Sequence, residues 1–431
     1  MIALPAAALE PSLAARRAAA RSGACWLVAP APDQIGIARD LVATAPVEVV
    51  RGTSAADLER LEAAWATARA AWSRHGPPPA GVPAAAGWLS YELGRRLMGL
   101  PPRADHRPLF ELHFYDAIWN RPIGGEAVIW ACDEAAARRL AATLGNTSVV
   151  APPIPRLGPL EPEHPPAVFL DGVRRILDYL QAGDAYQVNL SRRLRARFAA
   201  GDPVALAAAL RARAPAPHAA FLADADGRGA LIGNSPERFL SLDRDGVIET
   251  RPIKGTRPRG ASPAADRAAR ADLLASAKDR AEHVMIVDLE RNDLGRICRT
   301  GSVEVVSLAQ AVALPTVHHL VSTVRGLLRP DVGLAALLRA TFPGGSITGA
   351  PKRRAMQIID ELEPSPRGAY TGATGWLGAA GDLDLAIAIR TAVVRDGALA
   401  LSVGAGIVAD STPEAELQET EVKARAFESL C

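Results

Sequence analysis

A lysine and a glutamate occupy positions from which they could carry out covalent and acid–base chemistry. Lys254 follows the apolar Ile253 and precedes Gly255, at the expected end of a strand. A lysine that is desolvated near other cations loses its proton more readily and becomes a nucleophile. Glu237, in the segment Asn234-Ser235-Pro236-Glu237-Arg238, could act as a general acid or base. Taken alone, such residues are more often a surface lysine and a salt-bridge carboxylate, so both interpretations stay open at this point.

The last predicted helix, residues 413–427, carries two carboxylates and a lysine on one face. Glu416, Glu419 and Lys423 are spaced at i, i+3 and i+7, which brings them to the same side of a helix. Two carboxylates one turn apart form half of a site for a hard divalent cation such as Mg²⁺. A solvated Glu/Lys face explains the same spacing, and spacing alone favours it.

Glu282 lies on the apolar stripe of another predicted helix, together with Ile286 and Leu289. A carboxylate on such a stripe needs a partner or a metal ion, because burying an isolated charge is costly. An ion pair with Arg280 or Arg296 satisfies that need as well as a metal ion does, so the two alternatives are equally good.

Two neighbouring predicted strands combine an arginine with small residues. In the strand 383–394 the face opposite the apolar side chains carries two alanines and Arg390, which leaves room for a carboxylate that the guanidinium could bind bidentately. A turn with Gly397 in the left-handed conformation would bring Gly404 and Gly406 to the same face. Their backbone N–H groups would then be accessible to a ligand. A bulged or tightly packed strand is the alternative, and the glycines alone favour it.

A glycine-rich segment, residues 343–352, leads into a predicted helix. Its glycine spacing is similar to that of a phosphate-binding loop, but Ala350 and Pro351 stand where a lysine and a hydroxyl residue are required. A glycine-rich turn with Pro351 at the first helical position can bind an anion, including a carboxylate. A simple helix-entry turn is an equally good interpretation.

These residues belong to a chain that we expect to fold as α+β in two closely joined lobes. Residues 1–150 form an N-terminal lobe, residues 151–166 contain seven prolines and connect the lobes, and residues 167–431 carry nearly all the chemically unusual residues. Helices and strands alternate without a βαβ rhythm, which favours α+β over a doubly wound sheet. The helices are predicted at 57–72, 169–182, 264–293, 351–362 and 413–427, and the main strands at 232–242, 247–253, 383–394 and 398–407.

Composition excludes several classes of function. The formal net charge is only +2 and the arginines are scattered, which gives no electrostatic reason to expect nucleic acid or an anionic membrane as a partner. The four cysteines, Cys25, Cys132, Cys298 and Cys431, have no metal-ligand spacing and are too few for a disulfide framework. No uncharged apolar run approaches the roughly 20 residues of a membrane helix, and no signal peptide is recognisable. A cytoplasmic location is therefore expected.

Eight segments in order closely resemble the chorismate-utilising enzymes, the family that includes anthranilate synthase component I and aminodeoxychorismate synthase component I. No single segment is specific, but the ordered set is, and Gly87 to Leu97 resembles the N-terminal lobe of the same family. The resemblance implies two packed, roughly orthogonal antiparallel β-sheets flanked by helices, with both lobes contributing strands. The segments are 185–190, 235–239, 251–259, 281–296, 317–323, 342–356, 404–411 and 414–423.

The resemblance also implies roles for individual residues. Glu282 and Glu419 resemble Mg²⁺ ligands, with Glu416 beside them and acting through water, and His319 resembles the histidine near the leaving group. The residues similar to the family's substrate contacts are Ser346, Tyr370, Arg390, Gly404, Gly406 and Lys423. Among them, Arg390 and the glycine amides are implied to bind the pyruvyl carboxylate, and Lys423 to lie near the ring carboxylate.

Residue 254 distinguishes the branches of this family. Anthranilate synthases resemble Pro-Ile-Ala-Gly-Thr here, whereas this chain has Pro252-Ile253-Lys254-Gly255-Thr256, which is similar to the aminodeoxychorismate synthases of the p-aminobenzoate and folate route. The lysine is implied to attack carbon 2 of chorismate and Glu237 to protonate the leaving 4-hydroxyl, after which ammonia displaces the lysine by attack at carbon 4. Such an aminotransferase takes ammonia from a glutaminase partner subunit. Anthranilate synthase, another chorismate-converting enzyme and a catalytically inactive binding subunit are the alternatives.

Overall fold

Two antiparallel sheets dominate the architecture. The computed structural model describes residues 1–6, 9–30, 37–103, 107–145, 155–314 and 317–430. In that part of the chain, a sheet of thirteen strands and a sheet of ten strands are flanked by eleven helices, and all strand pairs are antiparallel. The α+β fold expected from the sequence is confirmed. No helix in these ranges is both long and apolar enough to cross a membrane.

The helices of the described ranges are α1 Pro11–Ala19, α2 Asp57–Trp72, α3 Tyr91–Leu97, α4 Glu134–Gly145, α5 Pro166–Gln181, α6 Pro203–Arg213, α7 Pro263–Ala275, α8 Ala277–Gly295, α9 Leu334–Thr341, α10 Lys352–Leu362 and α11 Pro413–Glu428. The first sheet contains β1 Ile2–Pro5, β2 Cys25–Pro30, β3 Ile37–Ala43, β7 Ala117–Pro122, β8 Val128–Ala131, β9 Arg156–Leu157, β10 Glu161–Pro162, β11 Gln187–Ala200, β12 His218–Ala223, β13 Gly229–Ser235, β19 Gly349–Ala350, β22 Thr391–Arg395 and β23 Ala398–Ile407. The second sheet contains β4 Glu48–Gly52, β5 Pro83–Leu89, β6 Phe110–Phe114, β14 Arg238–Leu242, β15 Val247–Arg251, β16 Ile253–Pro258, β17 Glu304–Ala313, β18 Val317–Leu327, β20 Ala373–Gly378 and β21 Leu383–Ile387.

Both sheets contain strands from the N-terminal and the C-terminal parts of the sequence. In the first sheet β2 pairs with β12, and in the second sheet β5 pairs with β20. The end of the proline-rich stretch forms β9 and β10, which pair with β11, whereas residues 151–154 lie outside the described residues. Strands from residues 1–150 are hydrogen-bonded into both sheets, so the predicted lobe boundary does not separate one sheet from the other. The division into lobes stays a prediction from the sequence.

A shared apolar core joins the sheets. One cluster of buried side chains combines Leu190 of the first sheet with Phe239 and Leu385 of the second. The rings of Phe239 and Phe342 meet edge to face with centroids 5.7 Å apart, an arrangement that aromatic quadrupoles favour. Burying this much apolar surface between two sheets is the main favourable contribution to folding.

The expected helix 264–293 is wrong in one respect, because the structure divides it at Ser276. Helix α7 ends at Ala275, and Ser276 adopts extended backbone and caps α8, its Oγ accepting from the Asp279 N–H at 3.2 Å. Serine is a favoured N-cap residue, since its side-chain oxygen accepts from a backbone N–H that has no partner inside the helix. Similarly, Pro351 is the residue before α10, not its first helical residue.

Two expected strands are also wrong, because each is two strands in different sheets. The strand expected at 232–242 divides into β13 and β14, and the one expected at 383–394 divides into β21 and β22. Pro236 has no N–H to continue the first ladder, and Arg390 has a φ of +50°, which ends the second. Apolar residues lie on both sides of each break, so the pattern of apolar residues does not reveal the change of sheet.

Helix α11 confirms the last predicted helix to within one residue. Glu416, Thr420, Ala424 and Phe427 form its buried side, and the helix packs on α5 and β23. Glu419 and Lys423 lie on the flank of that buried side and form an ion pair with an N···O distance of 2.7 Å. The buried Phe427 at the end of the helix therefore fixes the position of Glu416 and Glu419, the two carboxylates that the sequence suggested as metal ligands.

We predict that Phe427→Ala lowers the free energy of unfolding by about 3–5 kcal/mol, because Phe427 is 0% exposed and its removal leaves a cavity. Denaturant unfolding followed by circular dichroism measures the effect. Val422→Ala, on the same helix but 48% exposed, is the matched control and should change stability by less than about 0.5 kcal/mol. Equal effects of the two variants would contradict the assigned orientation of α11.

Candidate active site

The candidate site lies where the chain crosses between the two sheets. Glu237 lies in the crossover from β13 to β14, and Arg390 lies in the crossover from β21 to β22. Two backbone hydrogen bonds join these crossovers: the Ile387 N–H donates to the Glu237 carbonyl, and the Asn234 N–H donates to the Arg390 carbonyl, each at 3.0 Å. The backbone itself therefore brings together an acid and an arginine that are far apart in sequence.

Lys254 is the second residue of β16 and is surrounded by charged side chains. Its side chain is half-buried, and burial lowers its pKa below the ordinary 10.5. The carboxylates of Glu282, Glu237 and Glu419 act in the opposite direction, whereas the nearby Lys423 ammonium lowers the pKa further. The net lowering increases the fraction of neutral amine, which is the nucleophilic form.

Glu237 is buried beside the strand that carries Lys254. Only 5% of its surface is exposed, and its Oε1 accepts from the Ile253 N–H at 3.3 Å. Burial raises the pKa of Glu237 above 4.5, although the Ser346 hydroxyl and the Lys254 ammonium act to lower it. A carboxyl group with a raised pKa can give up a proton and later take one back.

His319 lies on β18 with one ring nitrogen bonded and the other without a partner. Its Nδ1 is 3.2 Å from the Gly255 carbonyl oxygen and 2.9 Å from the Thr256 hydroxyl oxygen. Because a carbonyl oxygen only accepts, we assign the proton to Nδ1, which leaves a lone pair on Nε2. Nε2 is buried without a hydrogen-bond partner in the described part of the chain. Burial lowers the pKa of His319 to about 4, so the ring is neutral at pH 7.

Glu282 on α8 and Glu416 and Glu419 on α11 come close enough to influence one another's ionisation. Burial raises the pKa values of Glu282 and Glu416, and the charge of Glu419 raises both further. Burial also acts to raise the pKa of Glu419, but the Lys423 ammonium outweighs it and the pKa is lowered. Within the described ranges, no three His, Cys, Asp or Glu side chains are arranged to hold a metal ion. The three carboxylates thus form a loose acidic group balanced by a lysine.

Gly404 is in the middle of β23, where a side chain would collide with its surroundings. A Cβ atom at this position would lie 2.7 Å from the Leu190 carbonyl oxygen and 2.9 Å from the Tyr370 hydroxyl oxygen. The Gly404 carbonyl accepts from Lys423 Nζ at 2.8 Å, and the same Nζ pairs with Glu419. Gly404 therefore lies close to both the Tyr370 hydroxyl and the lysine of the acidic group.

Arg390 has a guanidinium group without a protein partner. No hydrogen bond or ion pair of its side chain occurs within the described residues. Burial lowers the pKa of Arg390, whereas Glu237 acts to raise it, and the charge of Arg390 also contributes to the lowered pKa of His319. A half-buried, unpaired arginine beside an acid and a neutral histidine is suited to bind a carboxylate.

Two buried polar side chains near β23 lack partners. The Oγ of Ser346 makes no hydrogen bond of normal geometry, and both amide atoms of Gln187 are unpaired although Gln187 is 0% exposed. A Cβ atom at Gly406 would lie 3.0 Å from the Gln187 Nε2. Unpaired buried polar groups are rare in folded proteins. Where they do occur, a bound ligand often completes their hydrogen bonding. The sequence analysis did not single out Gln187, which appeared there only within the matched stretch 185–190.

The sequence analysis also missed the first turn of α8. Asp279 lies one turn before Glu282 and raises its pKa, and Asp279 Oδ2 accepts from Arg257 at 3.1 Å. The ammonium of Lys278 acts to lower the pKa values of Glu282, Glu416 and Glu419. The only sequence signal was the Lys-Asp pair at the start of the helix, which is common in solvent-exposed first turns.

The structure thus brings all twelve predicted site residues into one region built by the two crossovers, β16, β18, β23, α8 and α11. The arrangement offers an amine with a lowered pKa, a carboxyl group with a raised pKa, a neutral histidine and an unpaired arginine. Opposite them lies an acidic group that could accept a cation. Such a set can hold a substrate with two carboxylates and transfer a proton at a group between them.

Comparisons with known proteins agree with this arrangement. Residues 23–429 match the family model described as chorismate binding enzyme. A protein of Klebsiella aerogenes named aminodeoxychorismate synthase component 1 is 44% identical over 342 residues, which cover 78% of this chain and 74% of that protein. A protein of Haloarcula marismortui named anthranilate synthase component 1 1 is 43% identical over 377 residues, which cover 81% of this chain and 76% of that protein.

A solved structure has the same fold. Anthranilate synthase component I from Streptococcus pneumoniae superposes with a TM-score of 0.78 at 31% sequence identity, covering 93% of this chain and 94% of that chain.

We predict that the buried side chains His283 and His319 reduce the free energy of unfolding as the pH falls from about 6.5 to about 4. Burial holds the pKa values of His283 and His319 at about 4 in the folded state, against an ordinary value of 6.5. In this window the unfolded chain binds protons that the folded chain does not, so protons favour unfolding. Denaturant unfolding at several pH values measures the slope. His319→Gln should make it shallower, and an unchanged slope would show that His319 is charged in the folded protein.

Proposed function

Because the chain belongs to the chorismate binding enzyme family, we propose that it converts chorismate and ammonia to 4-amino-4-deoxychorismate, the precursor of p-aminobenzoate in folate synthesis. The placement of Lys254 carries the proposal. Burial lowers the pKa of its amine, and the amine is close enough to the carboxylates of Glu282 and Glu237 for both to act on that pKa. The sequence pattern that resembles anthranilate synthases has an alanine at this position. An alanine would leave no nucleophile there.

In the proposed first step, the neutral amine of Lys254 attacks carbon 2 of the chorismate ring. A bond forms between Nζ and carbon 2, the ring double bonds shift, and the bond from carbon 4 to its hydroxyl breaks. Glu237 donates its proton to that hydroxyl, which leaves as water, and the lysine nitrogen stays in the intermediate as a secondary ammonium. The raised pKa of Glu237 supports this role, because it keeps the acid protonated closer to neutral pH.

In the proposed second step, ammonia attacks carbon 4, the double bonds shift back, and the bond from carbon 2 to Lys254 breaks. Glu237, now ionised, accepts a proton from the attacking nitrogen, and Lys254 leaves as the neutral amine. Two successive displacements place the new nitrogen on carbon 4, whereas direct attack of ammonia at carbon 2 would give the anthranilate pattern.

The other site residues position the substrate in this proposal. Arg390 binds the pyruvyl carboxylate together with the backbone amides near Gly404 and Gly406, because its guanidinium has no protein partner in the described structure. Ser346 and Tyr370 supply hydroxyl groups at the same end. His319 accepts a hydrogen bond at Nε2 near the leaving hydroxyl, and Lys423 lies at the ring carboxylate. Holding both carboxylates orients the ring toward Lys254, which is a positioning effect.

The acidic group fits Mg²⁺ by its chemistry. Glu282, Glu416 and Glu419 have carboxylate oxygens, the ligands that this ion prefers, and the charge of Glu419 raises the pKa values of the other two, as a nearby negative charge does. We propose Glu282 and Glu419 as ligands with Glu416 beside them. When bound, Mg²⁺ would supply positive charge that holds the ring carboxylate.

We also propose a glutaminase partner that supplies the ammonia. A relative named component 1 has, by that name, a second component. None of the three described cysteines suits a glutaminase nucleophile: Cys25 and Cys298 are buried, and desolvation raises the pKa of Cys132 to about 12. The described cysteines therefore offer no glutaminase nucleophile, which supports a separate source of the ammonia.

Anthranilate synthesis is the second candidate, because a relative named anthranilate synthase matches at 43% identity. The products separate the two reactions. Incubation with chorismate, Mg²⁺ and ammonium releases anthranilate directly in one case, whereas in the other p-aminobenzoate appears only after an aminodeoxychorismate lyase is added. Binding of chorismate without any turnover would instead indicate an inactive subunit.

We predict that Lys254→Ala abolishes formation of 4-amino-4-deoxychorismate, because the first covalent bond cannot form, and that the variant releases anthranilate instead. Chromatography of the products, with lyase added to half of each sample, measures both outcomes. Lys254→Arg is the matched variant: it keeps the positive charge but does not lose a proton, so it should be equally inactive. Full activity in either variant would contradict the covalent scheme.

We predict that Glu237→Gln lowers kcat by about 10²–10⁴-fold, the usual contribution of a general acid–base group, with little change in KM for chorismate. The amide keeps the acceptor for the Ile253 N–H but cannot exchange a proton. Steady-state rates at saturating ammonium measure the effect. Glu414→Gln, on the exposed end of α11, should behave as the unmodified protein does.

A further inference from the structure

A buried arginine outside the predicted site binds several of the segments that carry substrate contacts. Arg367 lies between α10 and β20 and is 5% exposed. Its Nε and Nη2 donate to the two carboxylate oxygens of Glu363 at 2.9 and 2.7 Å, a bidentate pair. Its backbone N–H donates to Glu92 of α3 at 3.1 Å. The residue is therefore fixed at both its main chain and its side chain.

The remaining guanidinium donors reach three further segments. Nη2 donates to the Asn189 carbonyl at 2.8 Å, and Nη1 donates to the Ile347 carbonyl at 3.0 Å and to the Thr371 hydroxyl at 3.2 Å. Together with the two bonds to Glu363, these bonds use all five N–H groups that a guanidinium possesses. A lysine has only three donors on one nitrogen and cannot reproduce the set.

Each acceptor is next to a proposed substrate contact. Ile347 follows Ser346, and Thr371 follows Tyr370 in the chain. Asn189 is directly opposite Gly406 in the β11–β23 ladder. The guanidinium therefore connects, through one residue each, three groups that would touch the substrate.

Glu363 extends the same network to Gly404. Its Oε1 accepts from the backbone N–H and from the hydroxyl of Ser191, each at 2.8 Å, and Ser191 is opposite Gly404. The pair of Glu363 and Arg367 therefore touches the strand β11 at two successive positions of the face that carries both glycines.

Aromatic rings and a strained residue hold the arginine against Tyr370. The guanidinium carbon lies 4.6 Å from the centroid of the Tyr91 ring and 5.9 Å from that of Tyr370. Thr371 has a φ of +58°, which is unfavourable for a β-branched residue, and its hydroxyl donates to the Tyr370 carbonyl at 2.6 Å. Such strain persists only where the surroundings determine the backbone, and here it sets the direction of Tyr370.

We propose that Arg367 is a positioning residue for chorismate, which sets the relative placement of Ser346, Tyr370 and the two glycines of β23. This inference rests on the proposed substrate contacts, but not on which product the enzyme makes. Arg367 touches no substrate itself. It acts through the backbone of three segments, and a displacement of about 1 Å in such contacts costs about 10²-fold in rate.

The test is Arg367→Lys, with chorismate affinity measured by calorimetry in the presence of Mg²⁺ and without ammonia, and with kcat and KM measured separately. We expect a folded protein whose KM and dissociation constant for chorismate rise by about 10²-fold, because the contacts are displaced in the ground state as well. Arg211→Lys is the matched control, since Arg211 also pairs with a carboxylate, Asp40, and stacks on an aromatic ring, Trp26, but lies on α6 away from the site. The control should keep the affinity of the unmodified protein.

A second variant tests the same inference if Arg367→Lys does not fold. Thr371→Val keeps the β-branched shape and deletes only the hydroxyl between Arg367 and the Tyr370 carbonyl, so we expect an increase of about tenfold in KM. Unchanged chorismate affinity and KM in either folded variant would overturn the inference and leave a purely structural ion pair. Release of anthranilate by the unmodified protein would contradict the proposed function alone, because the affinities would still test the role of Arg367.

Discussion

The electrostatic balance at Lys254 is the constraint on which the proposed chemistry depends. Burial favours the neutral amine, the carboxylates of Glu282, Glu237 and Glu419 favour the ammonium, and the outcome is a lowered pKa. Burial is the largest of these contributions, because removing a charge from water costs several kcal/mol. Neutralising Glu282 and Glu419 with any cation would remove charges that stabilise the ammonium. The acidic group therefore tunes the nucleophile as well as offering ligands.

The architecture explains why this balance forms at one place. The chain passes between the sheets at Glu237 and again at Arg390, and backbone hydrogen bonds join the two crossovers. The proposed catalytic acid and the arginine proposed to bind a carboxylate are thus fixed by main-chain geometry, which is more rigid than side-chain contacts. Helix α11 adds its carboxylates from one side, and the network of Arg367 supports the contacts on the other. A site between two sheets can hold a substrate with charged groups at both ends.

The sequence predicted some of this arrangement and not the rest, for physical reasons. Helices α2 and α11 were predictable, because each has a clear periodicity and boundaries set by acidic first turns or a proline. The two crossovers were not, since apolar residues on both sides of each break can be read as one continuous strand. Gln187 and Arg367 were missed because their importance lies in partners that are distant in sequence. The predicted site residues were found as a set only through the family resemblance, as local spacing left each of them ambiguous.

The most direct test of the account is peptide mass spectrometry of the protein mixed with chorismate and Mg²⁺ in the absence of ammonia. The chain has only four lysines, Lys254, Lys278, Lys352 and Lys423, so a modified amine can be assigned without ambiguity. The account predicts that a chorismate-derived adduct accumulates on the peptide that contains Lys254 and disappears when ammonium is added. An active enzyme that consumes chorismate with ammonium but never carries an adduct on Lys254 would contradict it.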